Sequence, residues 1–114
     1  MKPGDIVLVR FPQTDLQNGK LRPALVVAYI PGSHPDILLA LITSREYQAI
    51  ANFDEIIEPS DRDFLSTGLK ARSVVRLTRL ATVEVSVINA QLGMISQSRL
   101  TRIRNRLSDW LRMS

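Results

Sequence analysis

Apolar and polar residues alternate along most of the chain with a period of two, which is typical of β-strands. The alternating segments are separated by Pro, Gly, Asn and Asp, which favour turns. Residues 60–70 are predicted as a loop or a short helical turn. Many short strands with turns between them favour a small barrel or sandwich. The pattern predicts strands at 5–11, 24–30, 37–44, 53–59 as an edge strand, 72–78, and 81–95 with a kink or interruption.

The hydrophobic period changes near the C-terminus from two to that of a helix. Ser96 is a suitable N-cap for a helix over residues 97–112. Its apolar stripe is expected to pack on the sheet, and its arginines, Arg99, Arg102 and Arg106, are expected to form a wet cationic face. The sequence thus predicts one mainly β domain, residues 1–114, with a C-terminal helix. The stripe consists of Leu100, Ile103, Leu107, Trp110 and Leu111.

Charge is distributed unevenly along the 114 residues. Residues 1–69 hold six Lys or Arg against nine Asp or Glu, a net charge of −3, whereas residues 70–114 hold nine against two, a net of +7. Such asymmetry suggests a polyanionic partner, either nucleic acid or an acidic protein segment, although a solvated basic helix face is an equal alternative. The longest apolar stretches are too short for a transmembrane helix, so we expect a soluble cytoplasmic protein.

Several chemistries lack their residues in this sequence. There is no cysteine, hence no disulfide, thiolate nucleophile or Cys-based zinc site. The five glycines do not form a phosphate-binding motif, and neither HExxH nor GxSxG occurs. His34 is the only histidine and lies in a predicted turn, where a solvated side chain is the expected state. We therefore expect neither a nucleotide-cofactor enzyme of these classes nor zinc hydrolysis or Ser-His catalysis.

Five segments in order along the chain carry a resemblance to a known family. They are "GDIVLVRF", "GKLRPALVV", "LLALITS", "TGLKARSVVRLTRLATVE" and "LGMISQSRLTRIRNRL". With them the chain resembles the MazF/PemK toxin endoribonucleases of type II toxin-antitoxin systems. The resemblance implies a small SH3-like β-barrel with a C-terminal helix, the MazF/Kid/CcdB-like toxin fold, usually as a homodimer.

The same resemblance implies an activity and partners. Members of this family are mRNA interferases, which inhibit growth by cutting single-stranded RNA at specific sites without a metal. An RNA 2′-hydroxyl attacks, leaving a 2′,3′-cyclic phosphate and a 5′-hydroxyl. A cognate antitoxin, often through an acidic or disordered segment, covers the RNA groove.

The resemblance assigns the catalytic core to the arginine of the "RP" pair and the threonine of "ITS", here Arg22 and Thr43. The chemistry of these side chains suits the assignment. A guanidinium offers a fork of donors to the negative charge that develops on the phosphate oxygens. Thr43 and Ser44 can donate hydroxyl hydrogen bonds to the same phosphate. Pro23 restricts Arg22 to extended geometry and so helps to aim its side chain.

Substrate contacts in this family come largely from the loop after the first strand, here "PQTDLQNGK". Polar side chains in such a loop can read the base edges or hold the backbone of an unstacked strand. A simple hairpin connection is the alternative. The expected RNA contacts in this loop are Gln13, Thr14, Asp15 and Lys20.

Arg76 is a further expected phosphate contact, with a cross-strand ion pair to Glu55 or Glu58 as the alternative. Some relatives carry an aspartate two residues after this arginine, proposed as the general base. Here that position is Thr78, whose hydroxyl is not a base near neutral pH. The sequence therefore assigns no proton acceptor. It also leaves open a non-catalytic module of the same fold that binds RNA, an antitoxin or DNA gyrase.

Overall fold

The computed structural model describes residues 1–10 and 20–114. In these residues the chain forms one antiparallel six-stranded sheet that curls into a half-barrel, together with two helices. This architecture confirms the predicted fold class. The elements are β1 (Asp5–Val9), β2 (Arg22–Tyr29), β3 (Asp36–Thr43), β4 (Glu55–Ile57), α1 (Phe64–Thr67), β5 (Ser73–Glu84), β6 (Ala90–Met94) and α2 (Gln97–Met113).

The strands follow the order β4-β5-β3-β2-β1-β6 across the sheet. Strand β4 lies at one edge, as predicted for residues 53–59, and β6 lies at the other. Strand β1 lies between β2 and the edge strand β6 and is buried on both faces, since four of its five residues are buried and the fifth is partly buried. Short 3₁₀ turns at Glu46–Gln48 and Val85–Val87 follow β3 and β5.

Strand β5 is one continuous strand where the sequence predicted a break after residue 78. Its register against β3 shifts between Leu41, which pairs with Arg76, and Ala40, which pairs with Leu80. The residues between 76 and 80 therefore form a bulge, which bends a strand and increases its twist. The polar Thr78 marks this bend, and the real interruption comes at the 3₁₀ turn before β6.

Alternating side chains bury apolar surface on both faces of the sheet. One cluster joins the sheet to α2 and the other covers the opposite face, so the two faces of β1, β2 and β3 are both apolar. The first cluster includes Ile6, Leu25, Ala40, Ile42, Val75, Leu100, Ile103 and Leu107. The second includes Val7, Val9, Ala24, Val26, Ile37, Leu39 and Leu41.

Helix α2 begins and packs largely as predicted. The Oγ of Ser96 accepts the N–H of Arg99 at 3.2 Å and caps the helix. The predicted stripe holds only in its first part, because Trp110 and Leu111 are 46% and 65% exposed. Trp110 instead stacks edge-on against Phe53, with 5.8 Å between ring centroids. No helix in the described residues is long and apolar enough to cross a membrane.

The prediction that the arginines of α2 form a wet cationic face is wrong for Arg99, which is 5% exposed. Its guanidinium donates to Glu55 at 2.8 Å, to Asp61 at 2.7 Å and to Asp63 at 2.8 and 2.9 Å. A further bond to a backbone carbonyl uses the last of its five N–H groups. Because each partner comes from β4 or the loop after it, Arg99 joins α2 to that side of the sheet.

Two neighbouring helix arginines are also paired within the chain. Arg102 and Arg106 contact the carboxylate of Glu55 at 2.6 and 2.9 Å. Glu55 is buried, and removing one partner of a buried ion pair costs about 3–5 kcal/mol. Much of the helix charge is therefore neutralised by the protein's own carboxylates.

Candidate active-site groove

A groove of about 580 Å³ opens where β2 begins and β3 ends. Apolar side chains form its floor, and cations and hydroxyl groups lie at its walls. The described lining residues include no carboxylate and no imidazole. An arrangement of this kind favours an anion. The polar lining consists of Arg22, Thr43, Ser44, Arg45, Lys70 and Ser73.

Arg22 is the first residue of β2 and pairs with Val9 of β1. Its side chain is partly buried, and its Nε is buried without a hydrogen-bond partner among the described residues. An unsatisfied donor in a charged group is costly, and an anion in the groove would satisfy it. Pro23 follows within the strand, consistent with the extended geometry expected for Arg22.

Thr43 is the last residue of β3 and lies beside Arg22. The β2–β3 register pairs Ala24 with Leu41, and two further residues of the same register bring Arg22 opposite Thr43. The Oγ1 of Thr43 accepts the backbone N–H of Arg45 at 3.1 Å. That contact uses a lone pair and leaves the hydroxyl proton available for a ligand.

The second wall is the turn after α1, which rests on β6 through two glycines. Gly68 has a φ of 74°, and a Cβ there would lie 2.3 Å from the carbonyl oxygen of Leu92. A Cβ on Gly93 would lie 2.1 Å from the carbonyl oxygen of Ser66. Since neither position accommodates a side chain, α1 and β6 are in direct backbone contact, which fixes the turn that carries Lys70.

Ion pairs among residues outside the groove lining stabilise this wall. Arg72 pairs with Glu46, in the 3₁₀ turn after β3, and with Glu58 at 2.8 Å. Asp63 precedes α1, and bonding to Arg99 lowers its carboxyl pKa. The pKa of Asp61 is lowered too, first by the N–H of Glu58 and then by Arg99. These charged contacts connect the loops on both sides of the groove to the sheet and to α2.

The structure brings together only part of the expected site. Arg22, Thr43 and Ser44 line the same groove. Lys20 is exposed and precedes β2 without lining the groove. The other expected loop contacts, Gln13, Thr14 and Asp15, lie outside the described residues.

Arg76 is held within the sheet and is not among the described residues that line the groove. Its guanidinium donates to Gln48 Oε1 at 3.0 Å and to Thr78 Oγ1 at 3.3 Å. Neither alternative ion pair forms, because Glu55 bonds to arginines of α2 and Glu58 bonds to Arg72. The Nε of Arg76 is buried without a partner in the described part of the chain.

Sequence reasoning missed two cations of the groove, Arg45 and Lys70. Arg45 directly follows the hydroxyl pair that ends β3, so its position beside a predicted site residue was the available signal. Lys70 lies 25 residues after Arg45 and reaches the groove because α1 rests on β6. The sequence carries no local signal for that contact.

Comparisons with known proteins identify the family and the fold. The family described as "PemK-like, MazF-like toxin of type II toxin-antitoxin system" matches residues 2–111. No curated protein matches the chain significantly. One solved structure of similar fold is described as an endoribonuclease in complex with its cognate antitoxin from mycobacterial species. It has a TM-score of 0.67 and 15% identity, covering 100% of this chain and 97% of that one.

Proposed function

The chain belongs to the PemK-like, MazF-like toxin family of type II toxin-antitoxin systems, and from this we propose that it is an endoribonuclease that cuts single-stranded mRNA. The structural neighbour described as an endoribonuclease supports the activity. The observation that carries the proposal is the groove, where the buried Nε of Arg22 lacks a hydrogen-bond partner among the described residues and the donor hydroxyl of Thr43 lies beside it.

In the proposed reaction an RNA 2′-oxygen attacks the adjacent phosphorus. A bond forms between phosphorus and the 2′-oxygen as that oxygen loses its proton, and the bond to the 5′-oxygen of the next nucleotide breaks as the leaving oxygen gains a proton, so no net proton is consumed. The products are a 2′,3′-cyclic phosphate and a 5′-hydroxyl, and no metal or cofactor takes part. Negative charge builds on the non-bridging oxygens in the transition state, so donors aimed at them lower the barrier.

Arg22 supplies the main electrostatic stabilisation in this proposal. Its guanidinium donates to the phosphate oxygens and gains the partner that its buried Nε lacks in the described residues. Thr43 donates its hydroxyl proton to the same phosphate, because its oxygen is already occupied by the N–H of Arg45. Ser44, exposed at the groove, adds a second hydroxyl donor.

Partners follow from the same proposal. The structural neighbour is bound to its antitoxin, and we expect a cognate antitoxin here as well, reaching the groove through an acidic or disordered segment. The groove is a better match for such a segment than α2, whose Arg99, Arg102 and Arg106 are paired internally. We further propose that the protein is a homodimer, that it acts in the cytoplasm, where mRNA is found, and that it inhibits growth.

The test is cleavage of a mixed-sequence single-stranded RNA in excess EDTA, with the product ends analysed. We expect site-selective cuts ending in 2′,3′-cyclic phosphate, and a loss of at least about 100-fold in rate for Arg22→Ala, the size seen when one transition-state donor is removed. Arg62→Ala, at an exposed arginine outside the groove lining, is the matched control. Equal cleavage by Arg22→Ala and wild type would refute the assignment.

A second candidate is a non-catalytic member of the fold that binds RNA, an antitoxin or DNA gyrase. It is favoured by the groove chemistry, because the described lining residues include no group that accepts a proton near neutral pH. Thr78, at the position of the aspartate in some relatives, only accepts a hydrogen bond from Arg76. Tight RNA binding without strand scission would favour this candidate, and gyrase-dependent DNA breaks would select its gyrase form.

A further inference from the structure

The groove holds more positive charge than one phosphate requires. Arg22 enters from the start of β2, Arg45 from the residues after β3, and Lys70 from the turn after α1. Neither Arg45 nor Lys70 has an ion-pair partner among the described residues, and both are exposed. Cations from three separate segments therefore converge on one concave surface.

Three acids on segments that flank this groove form ion pairs away from it. Glu46 and Glu58 pair with Arg72, and Asp63 pairs with Arg99. These pairs weaken the repulsion that the carboxylates would exert on an anion at the groove and reduce their competition for its cations. The charged residues of the described groove lining are all cations, although the first 69 residues carry a net negative charge.

The backbone that carries both extra cations is fixed. The N–H of Arg45 bonds to Thr43, so Arg45 stays next to the expected phosphate site. On the other wall, Thr67 Oγ1 accepts the N–H of Leu69 at 3.1 Å, one residue before Lys70. Charged side chains on a fixed backbone lose less conformational entropy when they bind a ligand.

From these contacts we infer that Arg45 and Lys70 bind phosphates adjacent to the one at Arg22 and Thr43, so that the groove follows a single strand over several consecutive phosphates. The inference rests on the proposed function and extends it to the path of the substrate. A groove of about 580 Å³ supports it, because that volume is typical of sites enclosing ligands of drug size, larger than one phosphate group.

The experiment is salt-dependent binding of a fluorescent, mixed-sequence, single-stranded 2′-deoxy oligonucleotide, which lacks the attacking hydroxyl and is not cut. Each phosphate contact adds about 0.7 to the slope of log affinity against log salt concentration for single strands. We expect Arg45→Gln and Lys70→Gln each to reduce the slope by about 0.7, and the double variant by about 1.4. Arg62→Gln removes the same charge outside the groove and should leave the slope unchanged.

The outcomes separate this inference from the proposed function. Equal slopes for wild type and both groove variants, or equal reductions for the groove variants and Arg62→Gln, would overturn the inference even if wild type cuts RNA. Reduced slopes in the two groove variants, with an unchanged slope in Arg62→Gln, would support the inference even if wild type cuts no RNA. A lack of RNA cleavage would then overturn only the proposed nuclease activity. Failure of wild type to bind the strand at about 50 mM salt would overturn the inference. Circular dichroism verifies that each variant is folded.

Discussion

The hydroxyl oxygen of Thr43 accepts the N–H of Arg45, and the hydroxyl proton is left available for a ligand. We predict that Thr43→Val lowers the RNA cleavage rate by about 100-fold, because it removes a transition-state donor and also the acceptor for the N–H of Arg45. Thr43→Ser retains the hydroxyl and should keep most of the activity. Single-turnover cleavage rates at saturating enzyme measure both. A Thr43→Val variant as fast as Thr43→Ser would exclude a role for the hydroxyl.

Some groove residues could be recognised from sequence and others could not. Arg22 and Thr43 stand at strand ends within segments whose order and spacing carry the family resemblance, so that resemblance indicated both residues. Lys70 reaches the groove through a contact between α1 and β6 that depends on two glycines 25 residues apart. The alternative ion pair of Arg76 with Glu55 or Glu58 was wrong, since pattern alone does not show that these carboxylates bond to other arginines and that Arg76 donates to Gln48 and Thr78.

At the scale of elements, the buried charges around Arg99 make the attachment of α2 sensitive to acid. The pKa of Asp63 is lower in the folded state than its usual value, mainly because Arg99 donates to it. A lowered pKa stabilises the fold above the unfolded-state value near 4 and loses that stabilisation as pH falls through the folded-state value. We therefore expect constant stability from about pH 7 to 5 and a steady decline below about pH 4.

Asp63→Asn tests that expectation in thermal melts between pH 7 and 2.5. We predict that it lowers the free energy of unfolding at pH 7 by about 2–4 kcal/mol, the cost of breaking a buried ion pair, and flattens the decline in acid. Asp109→Asn is the control, because Asp109 is exposed on α2 and pairs only with Arg112. An unchanged acid decline in Asp63→Asn would mean that other carboxylates cause it.

Elements with a clear hydrophobic period were predictable, and those shaped by long-range contacts were not. The core strands and the start of α2 followed from alternation and from Ser96. The continuity of β5 could not be predicted, because the polar Thr78 resembles the end of a strand in the sequence. Only the shifted pairing of β5 with β3 shows that Thr78 lies in a bulge. The exposure of Trp110 was also missed, since periodicity gives the face of a helix but not where the sheet beneath it ends.

At the scale of the whole molecule, net charge by segment misrepresents where anions should bind. Residues 70–114 carry most of the positive charge, yet Arg99, Arg102 and Arg106 are paired with acids from the first half of the chain. The groove cations that have no ion-pair partner among the described residues come from both halves of the chain. Local pairing therefore decides the binding surface, and total charge does not.

Arg102 is an arginine of α2 outside the groove lining, and it provides a test of local pairing. Arg102→Gln removes the same formal charge as Lys70→Gln, but it removes a charge that Glu55 already neutralises. We expect the salt dependence of single-strand binding to remain that of wild type in Arg102→Gln. The oligonucleotide titration in matched buffers measures it. A reduction as large as that of Lys70→Gln would show that α2 contributes to the nucleic-acid surface.

The pairing of β1 with β6 joins the start of the chain to its last strand. A polypeptide emerging from the ribosome can form the β1–β2 and β2–β3 pairs early, but β1 lacks its second neighbour until residues 90–94 are free. The turn that carries Lys70 also lacks its support from Gly93 until then. A chain synthesised only as far as residue 89 would therefore lack both the second neighbour of β1 and the support of the turn that carries Lys70, so the groove is completed only after β6 has joined the sheet.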